Sequence, residues 1–386
     1  MIKGDEVNIF EKLQALDRRY IYIVIALAIV IPLMIPYNSD VVTTPPTENL
    51  YQMIDSYAGR SDRAILISFN HDASTMPELY PMEIAILRHC FERNVKVFTM
   101  TFVVTGAPII DFAINTVKEE YPNIQSGVDY CNFGYKIMPM ITALAMGDNI
   151  ATAIDTDAEG RKLANLPIMK NIVNYNEMNL VVETSGSVAG GTWIYYARPK
   201  FGVNVAVGVT AVMAADEYPL LQAGQLIGML TGLKGAAEYE KLVDVFAAYR
   251  DDNFPKGRPF SKEILRDSSI NKLINITTQT KAVFTPEEFR AFAAKYPAKI
   301  NDLNQLKKED DNKIVFDVST ITPDQQKALG DDLWSALNKK TYNILYKFKV
   351  ARIGMNAQSV AHIMIFVFIL IGNIGYFLTK SKEKKA

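Results

Sequence analysis

Only two cysteines, Cys90 and Cys131, occur among 386 residues, which excludes a disulfide scaffold as the source of stability. A single bridge between them would need an oxidising compartment; their settings, an amphipathic helix and a strand, favour two buried, unpaired thiols. Histidine is almost as scarce: His71, His89 and His362 stand at no metal-ligand spacing, and neither CxxC nor HExxH is present. No metal site is expected, and no cofactor is called for. Charge of one sign is missing too. The 41 basic residues balance 42 acidic ones for a formal net charge of -1, so the field that draws nucleic acid is absent and that partner class is set aside.

What is present is a globular balance of 49% apolar and 22% charged residues, over a length that suits one large domain and a smaller one. Two apolar runs stand apart from it. Tyr20 to Tyr37 reads YIYIVIALAIVIPLMIPY without a charge, close to the minimum of about 17 residues that cross a hydrocarbon core about 30 Å thick. The edging Tyr20, Tyr22 and Tyr37, with Pro32 and Pro36 where a cleavage site would need small residues, indicate an uncleaved anchor. Lys3, Lys12, Arg18 and Arg19 precede the run and no lysine or arginine follows until after Gly59, which predicts a cytoplasmic amino terminus.

The second run, Val360 to Leu378, is followed by Lys380, Lys382, Lys384 and Lys385. Lys339, Lys340, Lys347, Lys349 and Arg352 lie on its other side, so its orientation follows from parity with the first span. His362 and Asn373 are its polar residues, and His362 is placed near the interface, where an imidazole reaches headgroups or water. The expected organisation is a cytoplasmic stretch (1–19), a transmembrane helix (20–37), a linker (38–60), an extracytoplasmic α/β domain (61–250), a mainly helical region (251–352), a second transmembrane helix (360–378) and a basic cytoplasmic tail (379–386). That places the chain in an inner (cytoplasmic) membrane with both termini inside.

Between the spans, AILISF (Ala64 to Phe69) and VKVFTMTFVV (Val95 to Val104) read as strands buried on both faces, with helices predicted over Pro81 to Arg93 and Pro108 to Glu119. Further strands are predicted at Asp129 to Tyr135, Leu180 to Glu183 and Val203 to Met213, with a helix over Gly191 to Arg198. This alternation predicts a mainly parallel, doubly wound, Rossmann-like sheet. Ligands of such sheets bind beyond the carboxyl ends of the strands, which singles out His71 and Asp72 after the first strand. The loop holding Ser185, Gly186, Ser187, Gly190 and Gly191 follows a later strand and is suited to an anion at a helix start. It lacks the Walker A lysine and the GxGxxG register, and no G-x-S-x-G elbow supports a hydrolytic triad, so no catalytic residue is assigned. Asp155, Asp157 and Glu159 do not fit a calcium loop and read as a solvated turn.

Gly224, Gly228 and Gly232 recur every fourth residue within Tyr218 to Val243. On a helix they would form one smooth face, costing up to about 1 kcal/mol per glycine, and they are the candidates for a close interface. Beyond the polar stretch at Asp251 to Pro259, Thr285 and Thr322 each begin a capping signal, T-P-E-E and T-P-D-Q, and a long helix is predicted from Asp324 to Lys349.

The stretches GQLIGMLTGLKGAAEYE and SGVDYCNFGYK resemble segments of uncharacterised bacterial membrane-anchored α/β proteins over about residues 60–245. The resemblance implies a bacterial origin and assigns no activity and no site residue. The expectation drawn from all of this is a non-enzymatic subunit or scaffold of a bacterial envelope assembly, in contact with the lipid bilayer and with other membrane or envelope proteins or with further copies of itself. A ligand-binding or sensor subunit associated with a membrane transporter is the second expectation, and an envelope hydrolase the third.

Overall fold

The computed structural model describes residues 17–35, 37, 41–121, 123–187, 191–247, 258–267, 281–310, 313–334, 336–337 and 349–383. They fall into two units, one formed by 1–39 with 353–386 and the other by Asp40–Arg352. The first unit holds α1 (Arg18–Met34), whose first turn is capped by the Asp17 carboxylate. Seventeen residues extend about 26 Å at 1.5 Å each, and the helix stops before the Tyr37 limit expected from the apolar run.

In the second unit, part of the segment read as a linker instead folds as α2 (Pro45–Asp55), burying Leu50, Tyr51 and Ile54 completely. The chain continues through β1 (Ala64–Asn70), α3 (Met76–Glu92), β2 (Lys96–Thr101), α4 (Ala107–Lys118), β3 (Tyr130–Tyr135) and α5 (Pro139–Asp148). It then forms β4 (Leu180–Ser185), a helical stretch over 191–201, β5 (Asn204–Val209), α6 (Ala214–Gln222), β6 (Gly228–Thr231) and α7 (Gly232–Leu242). The six strands pair in the order β3-β2-β1-β4-β5-β6, every pair parallel.

Apolar side chains alternate to both faces of this sheet, which is why its strands read as unbroken apolar runs. Leu66, Phe98, Phe133 and Val205 face a core that includes Trp193 and Tyr175. On the opposite face Gly208 leaves room for the Met82 sulfur of α3, which would lie 2.9 Å from an added Cβ. Helix α3 begins five residues before the predicted Pro81, which lies inside it and has no N-H to donate to the preceding turn. Cys90 and Cys131 are free and buried, and burial pushes both thiols up from their ordinary range.

The glycine row corrects the sequence reading most clearly. The predicted helix over Tyr218 to Val243 is a helix, a turn, a strand and a second helix. Gly224 takes φ +69 just past α6, Gly228 opens the edge strand β6 and Gly232 takes φ +53 at the start of α7. Gly228 is covered by its own chain: an added Cβ would lie 2.7 Å from the Pro46 carbonyl oxygen and 2.8 Å from Leu50 Cβ.

The region after 258 contains more than helices. β7 (Lys281–Phe284), β8 (Lys308–Asp310) and β9 (Lys313–Asp317) form an antiparallel sheet in the order β7-β9-β8. It packs on α8 (Pro286–Ala293) and α9 (Pro323–Leu329) around Phe284, Phe289 and Phe316. Both helices start with the predicted capping boxes, Thr285 with Glu288 and Thr322 with Gln325. The long helix predicted from Asp324 to Lys349 is interrupted at Gly330, which turns the chain at φ +80; helix resumes over 331–334 and 336–337, and 338–348 lie outside the described residues. The last helix, α10 (Val350–Glu383), contributes its start to the second unit and its remainder to the first. Its portion Val350–Phe377 is long and apolar enough to cross a membrane, and Ile363, Phe366, Ile369 and Phe377 are exposed. Within the first unit Tyr37 donates its hydroxyl to the Asn356 carbonyl at 3.4 Å, and the Asn356 amide donates back to the Tyr37 carbonyl.

Candidate functional site

The strand order reverses between β1 and β4, the position in an open sheet beyond whose strands' carboxyl ends ligands bind. Asn70, the last residue of β1, ties three strand ends together. Its amide donates to Glu183 Oε1 of β4 at 2.8 Å, and its carbonyl oxygen accepts the Phe102 N-H just past β2 at 2.8 Å. Thr101 adds a bond from Oγ1 to the Phe69 carbonyl at 2.6 Å. Gly106 sits against those same two residues so closely that no side chain fits.

His71 and Asp72 lie in the loop after β1 but point differently, as expected of sequence neighbours. Asp72 is exposed and closes a turn, accepting the Ser74 N-H at 2.8 Å and the Ser74 hydroxyl at 2.5 Å; these bonds hold its carboxyl below the usual range. His71 is buried, with Nδ1 3.1 Å from the Asp72 carbonyl and Nε2 2.7 Å from Glu83 Oε1. A carbonyl only accepts, so Nδ1 carries a proton, and the contact with Glu83 shares one further proton between imidazole and carboxyl. Thr184 Oγ1 donates to the same Glu83 oxygen at 2.6 Å, whereas Glu83 Oε2 has no hydrogen-bond partner among the described residues. Burial alone would lower the His71 pKa, yet its bond and charge interaction with Glu83 raise it. Burial raises Glu83 against the opposing pull of His71 and Thr184.

The loop after β4 comes alongside. An added Cβ on Gly186 would lie 3.0 Å from the Thr75 Cβ and closer still to its methyl. Ser185 and Ser187 bond one another, Oγ to Oγ at 3.3 Å, and Ser187 N-H donates to Ser185 Oγ at 3.2 Å. Gly191 opens the helical stretch that follows, and Gly190 lies outside the described residues. The serines and His71 are therefore neighbouring groups with separate partners: both ring nitrogens of His71 are engaged, and neither engages a serine. This is not the nucleophile–base contact that a hydrolytic triad requires.

The edge is poor in cations and rich in apolar surface. In the loops 71–75, 102–106, 136–138, 186–187 and 210–213, Lys136 is the sole lysine or arginine, and its ammonium donates to the Thr156 carbonyl at 3.4 Å. Val104, Ile137, Met138, Ile141 and Val212 are exposed, Val212 by 84% and Met138 by 60%. Met138 also holds a left-handed backbone, φ 54 and ψ 66, which is costly for a residue with a side chain. Asp155, Asp157 and Glu159 flank the edge strand β3, where the Ala158 N-H donates to the Asn132 carbonyl, in a turn closed by Arg161 and Lys162.

Helix α7 runs parallel to α3. Gly232 lies against Glu78 near one end, and Tyr239 meets His89 and Asp244 meets Arg88 near the other. Because α3 returns from the carboxyl end of β1 to the amino end of β2, the last turns of α7 lie at the amino edge of the sheet. There α7 and the residues just after it hold both places where the chain joins this unit. Glu238 accepts the Thr44 N-H at 2.8 Å, and Lys241 donates to the Val41 carbonyl at 2.9 Å. Glu240 accepts the Ala351 and Arg352 N-H groups at 2.9 and 3.1 Å, capping the start of α10. Asp244 is paired with Lys349, Arg352 and Arg88, and Arg88 with Glu120 at 2.8 Å. These cations hold the Asp244 carboxyl far down against the effect of its burial.

Neither Glu83 nor this charged cluster is marked by a motif. The available signal was a charge on an apolar helix, as in MEIAILRHCF, where Glu83 and Arg88 interrupt a buried face. Compared with protein-family models, with curated proteins and with solved structures, the chain matches none.

Proposed function

We propose that this chain is a membrane-anchored, non-enzymatic recognition subunit of a bacterial envelope assembly. Its soluble α/β unit is Rossmann-like and doubly wound, and it contacts a partner protein through the carboxyl edge of its sheet. The observation that carries this reading is the division of labour between the two sheet edges. Both chain connections are fixed at the amino edge by Glu238, Glu240 and Lys241, and the carboxyl edge offers exposed Val104, Ile137, Met138, Ile141 and Val212. Exposed apolar residues grouped on one edge suit protein contact, and methionine adapts to an uneven partner. The scarcity of cations at the same edge disfavours a phosphate-bearing ligand.

In this reading α1 and α10 both span the inner membrane, with the soluble unit outside and both termini in the cytoplasm. The apolar surfaces of both helices and the charge asymmetry around α1 support it. The test is purification of the tagged full chain from native membranes in mild detergent, followed by native mass measurement. Stoichiometric partners are expected with the wild type and lost from an Ile137→Asp/Ile141→Asp variant; a wild type that travels alone contradicts the assembly. A ligand-binding subunit of a transporter is the second reading, favoured by the reversal of strand order between β1 and β4. It predicts a rise in melting temperature with one ligand class and no dependence on Ile137 or Ile141.

A further inference from the structure

Helix α10 carries a polar side chain in the middle of its apolar run. Asn373 lies between Ile363 and Phe377, where its neighbours are apolar, aromatic or glycine. At 1.5 Å per residue it stands about 10 Å from Lys380 and about 16 Å from His362, inside a hydrocarbon core about 30 Å thick. Its side chain is exposed, and no described residue bonds its carboxamide. A carboxamide facing hydrocarbon loses every hydrogen bond it makes in water, so it is stable there only when another polar group meets it.

The position of Asn373 on the helix indicates what meets it. From Ala357 onward, the buried residues of α10, Ala357, Ala361 and Gly375, lie along one stripe. At about 100° per residue Asn373 falls on the opposite side. It belongs to a second series, His362, Phe366, Ile369, Asn373 and Tyr376, all exposed and separated by alternating steps of four and three. That spacing keeps one seam of a helix turned toward a partner along its length, with Asn373 at a core position of the seam.

We propose that this seam pairs two copies of the chain in the membrane, with the two Asn373 carboxamides hydrogen-bonded to each other. A second copy is the fitting occupant because a carboxamide is both donor and acceptor and so complements itself. Copies inserted the same way round also bring identical positions of a heptad seam to the same depth. An added Cβ at the neighbouring Gly372 meets nothing within 4 Å, so close approach is open. The inference rests on reading α10 as a membrane span.

The test uses the full chain in its native membranes. Carbonate extraction comes first: a chain that is released is not membrane-spanning, and both readings fall. For a retained chain, Ile369→Cys on the seam and Ile371→Cys off it are oxidised with a mild copper catalyst and run without reductant. A covalent homodimer is expected from Ile369→Cys and not from Ile371→Cys. Adding Asn373→Leu should weaken association in reconstituted bilayers roughly 3- to 30-fold, and Asn373→Gln should retain it. A retained chain that gives no homodimer, that cross-links equally from both positions or that is indifferent to Asn373→Leu overturns the pairing and leaves the membrane reading intact. A seam occupied by a different membrane protein would appear as the first of these results.

Discussion

The pair formed by His71 and Glu83 makes the loop after β1 a proton-holding element of the fold. Both groups have pKa values raised in the folded state, so the folded chain binds more protons than the unfolded one between the two states' pKa values. For His71 the stabilisation is complete below its unfolded value of about 6.5 and is lost as pH rises through the higher folded value. Glu83 acts in the same direction from its unfolded value of about 4.3 upward. Melting temperature should therefore fall as pH rises across neutrality, and His71→Gln should flatten that slope; an unchanged slope would show that the pair does not titrate. Asp244 is the other decisive residue. Its removal as Asp244→Ala leaves Lys349, Arg352 and Arg88 buried with too little negative charge, and the expected loss is about 3–5 kcal/mol in urea unfolding. The residue types were legible from the sequence at His71, Asp72, Ser185 and Ser187. Glu83 and Asp244 were not, because each acts on groups brought to it by other elements, from a helix position that local pattern assigns only to an amphipathic face.

Among the elements, parallel strands buried on both faces leave an unbroken apolar run, and β1, β2 and β4 were readable for that reason. The capping boxes at Thr285 and Thr322 were equally readable because they are wholly local, each closing within three residues. The glycine row misled because a four-residue repeat matches the helical period while each of its glycines serves a different local need. Gly224 and Gly232 supply positive φ at two turns, and Gly228 lets α2 lie directly on the edge strand. Only the packing of α2, drawn from a stretch that reads as a linker, distinguishes these needs from a helix face. Gly228→Val should accordingly push α2 off the sheet at a cost of about 1–3 kcal/mol, visible as new protease cleavage within 45–55. Normal protection there would contradict the role given to this contact. The β7-β9-β8 sheet was missed because its short strands KAVF and KIVFD lie between two strong helix starts.

At the largest scale, the α/β unit uses its two sheet edges differently. One edge of the sheet receives both chain connections in a buried network of charges, and the other presents apolar side chains on a strained turn around Met138. The sheet itself was legible in the sequence, and so was the apolar run that became α10; the opposition of the two edges was not, since it depends on α7 running parallel to α3. The most direct measurement is photo-cross-linking in native membranes from a probe residue placed at Ile137 or Val104 on the carboxyl edge, compared with one at the half-buried Arg63 ahead of β1. The account predicts one discrete protein adduct from the two edge positions and none from Arg63. Equal labelling from all three, or none from the edge, would contradict it.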